Sequence, residues 1–232
     1  MTGINDEDTT VGFWSDMNNA NMVKNNFGFV DQNGTFTDVV DPLGKGVDNG
    51  LTVQQLLGVN SKDLAVGFWT DANGNTHGFK YDIKSKTFTE DNITNFTNTT
   101  LTAINNKGDI GGFVSNSAGD TSFIQAHNGN IQFLAGPSGA TSVQALGVND
   151  FDDVVGVYTD NLGAMHGFLF NEVKNMYITI DDPNAVTGSG SMTVANGTND
   201  KGQITGFYLD SPGNTDGMLL KVGGNNHPVF SS

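Results

Sequence analysis

The sequence has no cysteine and no arginine. Without thiols there is no disulfide framework, no zinc–thiolate centre and no cysteine nucleophile. Without guanidinium groups the bidentate clamp for phosphate or carboxylate is missing. All ten basic residues are lysines, set against 25 Asp and Glu, and the net charge is −15. Nucleic-acid binding needs a basic footprint that releases counterions, so a polyanion or an anionic membrane surface is not an expected partner. Carbohydrate or another neutral ligand, a cation or a divalent metal suits this charge better. No apolar run approaches the roughly 18 residues of a membrane span. Proline is scarce, at 5, while glycine is abundant, at 31, which points to many turns. Hydrophobic residues make up 36% of 232, enough for a core but low for a compact enzyme.

What is present is an internal repeat. The phrase Gly147-Val148-Asn149, Val155-Gly156-Val157-Tyr158-Thr159-Asp160, His166-Gly167-Phe168 occurs earlier as Gly58-Val59-Asn60, Val66-Gly67-Phe68-Trp69-Thr70-Asp71, His77-Gly78-Phe79. The leading asparagine stands at 5, 60, 105, 149 and 199, in steps of 55, 45, 44 and 50 residues. A period of this size made of short alternating runs is that of propeller blades, not of helical solenoids. Each copy reads as four strands; in the fourth they fall at about 143–148, 154–159, 166–170 and 176–180. The run Val53-Gln54-Gln55-Leu56-Leu57 could pass for a helical turn, but its register with the other copies makes it a first strand. The expected fold is one all-β domain over 1–232, a five-bladed β-propeller of four-stranded antiparallel blades. Its repeats lie at about 3–51, 52–99, 100–142, 143–191 and 192–232. The N-terminus offers only a stub of the first blade's inner strand, and residues 226–230 suit the last blade's outer strand.

Two turns recur. The first, Asn-x-x-(Gly/Asp), uses a side chain that bonds its own backbone two residues on. The second is Asp-x-x-Gly, as in Asp71-Ala72-Asn73-Gly74 and Asp160-Asn161-Leu162-Gly163; copy one has a longer loop at 16–26 instead. Glycines at 12, 67, 112, 156 and 206 recur in all five copies, which implies close backbone approach or a bulge in the second strand.

The sequence Gly-(Ile/Val)-Asn, (Val/Ile)-x-Gly-Phe-(Trp/Tyr)-x-Asp, Gly-x-x-His-Gly-Phe resembles the bacterial extracellular HAF-type repeats over most of the chain, from Gly3 to about Leu220. Copies two and four match well. Copy three keeps only Ile104-Asn105, Gly112 and Phe123, and copy five has Asp216-Gly217-Met218 in place of His-Gly-Phe. The resemblance implies secretion and a repetitive β fold without assigning an activity. Composition agrees with an extracellular or periplasmic location. The sequence after Met1-Thr2 begins already inside a repeat, so an export signal would not be part of it.

Candidate site residues follow the repeat. Trp14, Trp69, Tyr158 and Tyr208 are inter-blade core by the plainer reading and a sugar-stacking platform by the sharper one. Asp16, Asp71, Asp160 and Asp210 are turn formers, or face a ligand as carboxylates. His77 and His166 occupy one repeat position, held elsewhere by Phe27, Thr121 and Asp216, which argues against a symmetric metal ring; His127 and His227 are off register. Asp71, Asp160 and His166 are the catalytic candidates if the chain is a hydrolase or lyase, since glycoside hydrolysis needs two carboxyls about 5–9 Å apart. Asp181, Asp182, Glu90 and Asp91 fall near the same loops. No organic cofactor is expected. The runs Asn5-Asp6-Glu7-Asp8 and Asn149-Asp150-Phe151-Asp152-Asp153 offer hard oxygens for a structural calcium, though without EF-hand spacing. No Gly-x-Ser-x-Gly elbow exists, and Gly44-Lys45-Gly46 lacks the Ser/Thr of a phosphate loop. The expected function is a secreted binding module for carbohydrate or another neutral ligand. A hydrolase or lyase with an acidic loop-face site, and a structural surface protein, are the alternatives.

Overall fold

The computed structural model describes residues 1–16, 25–44, 52–222 and 228–231. Among them there is no helix; the chain forms five four-stranded antiparallel sheets, the blades of a five-bladed β-propeller. Blade one contains β1 (Gly3–Ile4), β2 (Thr10–Asp16), β3 (Asn25–Gln32) and β4 (Thr35–Val39). Blade two contains β5 (Gln54–Val59), β6 (Leu64–Thr70), β7 (Thr76–Asp82) and β8 (Thr87–Glu90). Blade three contains β9 (Asn98–Ile104), β10 (Ile110–Asn116), β11 (Gly119–Gln125) and β12 (Ile131–Leu134). Blade four contains β13 (Ser142–Val148), β14 (Val154–Thr159), β15 (Met165–Asn171) and β16 (Met176–Ile180). Blade five contains β17 (Thr193–Thr198), β18 (Gln203–Leu209), β19 (Thr215–Val222) and β20 (Pro228–Phe230). In every blade the strands pair in chain order. The short β1 and the strand at 54–59 are as the repeat register requires.

The chain forms two compact units, Met1–Asn106 with Val114–Asn116, and Lys107–Phe113 with Ser117–Ser232. Side chains along each strand alternate between a rear face, toward the preceding copy, and a forward face, toward the following one. In the first unit, Val11, Val30 and Val39 on the forward face of blade one share a core with Leu56, Ala65, Trp69, Phe79 and Tyr81 on the rear face of blade two. In the second unit, Val155 and Leu169 of blade four share a core with Ala195, Ile204, Met218 and Leu220 of blade five.

The two turns hold this packing in place. In the first turn Asn60 Oδ1 accepts the backbone N–H of Lys62 at 3.0 Å and of Leu64 at 3.1 Å. Asn5, Asn149 and Asn199 repeat the pattern. The fourth turn residue takes positive φ, at Asp8, Asp63, Gly108, Asp152 and Gly202. The free end of the asparagine does more than the local turn needs. Asn5 Nδ2 donates to the Asn60 carbonyl and Asn60 Nδ2 to the Asn105 carbonyl, both at 3.0 Å, and Asn149 Nδ2 donates to the Asn199 carbonyl at 3.4 Å. One side chain thus closes a turn and ties a blade to the next.

The recurrent glycine of the second strand is explained by close approach. A Cβ on Gly67, Gly156 or Gly206 would overlap the carbonyl oxygen of Gln55, Gln144 or Val194. The bulge itself lies in the first strand, where the register shifts between Leu56 and Gly58, Ala145 and Gly147, and Ala195 and Gly197. The extra inner-strand residue pushes its backbone toward the second strand, and only a glycine leaves room for it.

Candidate functional site

The Asp-x-x-Gly turn joins the second and third strands of a blade. Asp71 Oδ1 accepts the N–H of Asn73 at 2.8 Å and of Asn75 at 2.9 Å; Asp160 Oδ1 does the same with Leu162 and Ala164. Gly74, Gly163 and Gly213 supply the positive φ that ends the turn. The turn-forming role of these aspartates is therefore present. The backbone bonds use Oδ1, and Oδ2 points at the histidine; in Asp71 it also accepts from Asn75 Nδ2 at 3.1 Å.

In blade two, Trp69 and His77 are directly opposed on β6 and β7. The imidazole lies on the indole with centroids 4.3 Å apart and planes 19° from parallel. Asp71 Oδ2 sits 3.2 Å from His77 Nε2, and Asn92 Nδ2 faces Nδ1 at 3.4 Å. The Gly78 N–H donates to Asn92 Oδ1 at 2.9 Å, which fixes the amide so that its nitrogen meets the ring. In a neutral ring the proton then belongs on Nε2, donated to Asp71. Burial pushes the Asp71 carboxyl up, but the Asn75 N–H and amide, His77 and Asn73 outweigh it and hold the group well below the usual carboxylate range.

Blade four repeats the arrangement with a second carboxylate. Tyr158 and His166 are opposed on β14 and β15 and stack at 5.0 Å and 23°. His166 Nδ1 is 2.8 Å from Asp181 Oδ1, and Nε2 is 3.5 Å from Asp160 Oδ2. A doubly protonated ring donates to both acids. Asp160 lies below its ordinary value because the Ala164 N–H bonds it, with Leu162 and His166 adding to the effect against some desolvation. Tyr158 is pushed up by burial, and its hydroxyl meets Thr179 Oγ1 at 3.1 Å.

The other copies lack the cluster. In blade one Trp14 lies on Phe27 at 4.7 Å and donates through Nε1 to Asp38 Oδ1 at 2.9 Å. Asp16 ends β2; most of the 16–26 loop, like His227 and residues 45 and 46, lies outside the described residues. In blade five Tyr208 faces Asp216, and Asp210 accepts from the Asn214 N–H at 2.7 Å and side-chain amide at 3.0 Å. The amide bond holds the Asp210 carboxyl below its usual range. His127 belongs to another place altogether, with its N–H and Nδ1 on Asp109 Oδ1.

Of the ten candidate residues, six come together as two groups of three: Trp69, Asp71 and His77, and Tyr158, Asp160 and His166. Trp69 and Tyr158 are only 7% and 8% exposed, so each aromatic backs its histidine and is covered by it. Sequence reading missed Asn92, Asp38 and Thr179. Asn92 sits in a polar linker whose asparagines look interchangeable until the Gly78 pairing is known. Among the described residues no group of three or more His, Asp or Glu is arranged to hold a metal ion. The two acids around His166 address opposite ring nitrogens, which a single ion could not bridge.

No family model matches the chain, and no curated protein matches it. Solved structures do. TolB from Acinetobacter baumannii is 9% identical, with TM-score 0.59 over 94% of this chain and 53% of its own. AofleA from Arthrobotrys oligospora is 11% identical, with TM-score 0.51 over 90% of this chain and 66% of its own. The chain spans about half the length of that TolB chain. At such identities the likeness is one of fold alone, and the fold it supports is that of the β-propellers.

Proposed function

We propose that the chain is an exported propeller module, of HAF-like repeat type, that binds a neutral ligand, carbohydrate foremost. The contact points are Asp71, His77 and Asn92 in blade two, and Asp160, His166 and Asp181 in blade four. The observation that carries this reading is the recurrence of an aromatic-backed, acid-clamped imidazole beside the same turn of two blades. Each cluster presents donors and acceptors at fixed geometry next to one another, which is what hydroxyl groups of a polyol require. The acidic surface and the absence of arginine favour an uncharged ligand over an anionic one.

The test is a polysaccharide panel, with and without calcium, scored for retained protein and for released reducing ends. His77→Phe and His166→Phe keep the stack, since Phe27 already occupies this position on Trp14 in blade one. Each variant is expected to lower retention about tenfold or more, the loss of one or two hydrogen bonds to a charged group. Retention of no glycan, or unchanged retention by both variants, overturns the proposal. A second reading rests on the 2.8 Å contact of Asp181 with His166, which would orient the ring for acid–base work on a bound sugar. Released reducing ends lost in Asp160→Asn and His166→Phe would favour it. Bound calcium at the acidic first turns belongs to the same experiment, read as a rise in melting temperature over the chelated protein.

A further inference from the structure

The step from blade one to blade two and the step from blade four to blade five use the same positions with different residues. On the forward face of blade four, Ile178 stands opposite Leu169 and Met176 opposite Asn171. Ile178 packs on the core that holds Leu169 and Leu220, together with Val222 and Phe230. In blade one the equivalent residues are Thr37, opposite Val30, and Thr35, opposite Gln32. The facing positions of blade two stay apolar, with Tyr81, Ile83 and Phe88 on the core of Val30 and Val39. Two threonines in place of isoleucine and methionine leave this core open at its outer edge.

The opening is a cavity of about 350 Å³, lined by the buried Val30, Val39, Tyr81 and Ile83 and by the exposed Thr35 and Thr37. An apolar cavity of about 150 Å³ takes one benzene ring, so this one takes a ring with a short arm. It lies toward the β8 end of β7, whereas His77 stands at the start of that strand, so the cavity is separate from the histidine clusters.

Its polar equipment is specific. Of the four tyrosines, Tyr158 bonds Thr179, Tyr177 accepts the Gly136 N–H and Tyr208 bonds Asn184. Tyr81 is 5% exposed, and among the described residues none bonds its hydroxyl. Leaving a buried hydroxyl without a partner is costly, and a molecule in the cavity would supply one. Burial, with the Asp82 charge adding to it, pushes Tyr81 above the usual phenol range, so it stays a neutral donor. Gln32 also lines the cavity; its Nε2 donates to Thr9 Oγ1 at 3.2 Å, which leaves Oε1 as an acceptor. Charge selects against ions of either sign. The Asp82 carboxylate near Tyr81 disfavours an anion, and Lys86, the one charged lining residue, disfavours a cation.

We propose that this cavity binds a small uncharged alcohol with an apolar ring. The ring packs on Val30, Val39 and Ile83, and the ligand hydroxyl accepts from Tyr81 and donates to Gln32 Oε1.

Benzyl alcohol is the probe, with benzoate and benzylamine as its anionic and cationic counterparts, each titrated into the intact isotope-labelled chain and followed by amide chemical shifts. Saturable shifts should centre on residues 30–39 and 81–86, with a Kd on the order of 0.1–1 mM for a ligand of this size. Both ions should bind at least about threefold more weakly. Thr35→Met with Thr37→Ile restores the blade-four filling at two exposed positions and should abolish the shifts without lowering the melting temperature. Tyr81→Phe keeps the ring and should weaken binding about three- to tenfold, the worth of one hydrogen bond. Circular dichroism checks that each variant is folded. Absence of saturable shifts, shifts centred elsewhere, wild-type affinity in the filled variant or in Tyr81→Phe, or an ion that binds as tightly as the alcohol would each overturn the proposal.

Discussion

Replacing Gly156 by alanine adds one methyl group at a point where the structure has no volume for it. The new Cβ would overlap the Gln144 carbonyl oxygen and lie 2.9 Å from Phe168 Cε1. Ordinary carbon–oxygen contacts begin at about 3.3 Å, so β13 and β14 would have to separate by more than about 1 Å. That strains a well-packed site, at about 1–3 kcal/mol, and weakens one or two ladder bonds at about 1 kcal/mol each. The expected loss is about 2–5 kcal/mol. For a chain of this length each kcal/mol lowers the melting temperature by roughly 2–4 °C, so the variant should melt roughly 4–20 °C lower. Gly217→Ala is the control. Nothing lies within 4 Å of its Cβ, and a strand glycine replaced by alanine gains roughly 0.5–1 kcal/mol. Urea and thermal unfolding of the two variants against wild type give the answer. If Gly156→Ala and Gly217→Ala agree within about 0.5 kcal/mol of each other, the close-approach account of the repeated glycine is wrong.

Three further outcomes follow from the same contacts. Asn60→Ala removes two turn bonds and the tie to Asn105, all at a buried residue, and should cost about 2–4 kcal/mol in urea unfolding; Asn199→Ala, whose side-chain bonds to Lys201 and Gln203 stay within its own exposed turn, should cost less. The carboxyls of Asp71, Asp160 and Asp210 sit below their ordinary values in the folded chain. Between the folded and unfolded pKa the unfolded chain binds more protons, so their stabilisation is present above the unfolded carboxylate range and is lost as pH falls through the folded values. Asp160→Asn should flatten the acid limb of a stability–pH curve, and an unchanged limb would refute the assignment. Asp153 has the opposite sign: burial raises it, so its contribution falls as pH rises through its folded value, and Asp153→Asn should gain stability at neutral relative to acid pH.

The fold was readable because its signal is repeated. Strands expected at 154–159 and 176–180 occur at Val154–Thr159 and Met176–Ile180, and all of the ambiguous run at 53–57 but Val53 lies in β5, as alignment with its copies requires. Alternation and turn residues are local properties, and five copies average out the noise in each. The site was legible only in part. That Asp71 and His77 meet follows from a short turn between two strands. That Asn92 and Asp181 complete the clamps depends on where the fourth strand's exit loop crosses β7 and β15, and no local pattern encodes that. Of the two explanations the recurrent glycine left open, close approach holds, while the bulge lies in the first strand and not the second: the glycine is conspicuous, and the extra residues Leu57 and Leu146 look like ordinary strand positions.

The copies also separate what the fold needs from what it permits. The first-turn asparagine stands in all five, and its bonds to turn and neighbouring blade explain why. The recurrent glycine stands in all five, with the close first-strand carbonyl as the reason in copies two, four and five. The position of His77 and His166 behaves differently. Blade one packs Phe27 on Trp14 there, blade three has Thr121 and blade five Asp216, so a blade folds without an imidazole. The packing task at that position is met by any ring that covers the aromatic, and phenylalanine meets it without placing a polar edge between acids. A histidine held by Asp71 in one blade, and by Asp160 and Asp181 in another, therefore carries chemistry that packing does not demand. Those two blades are where a ligand should be sought first.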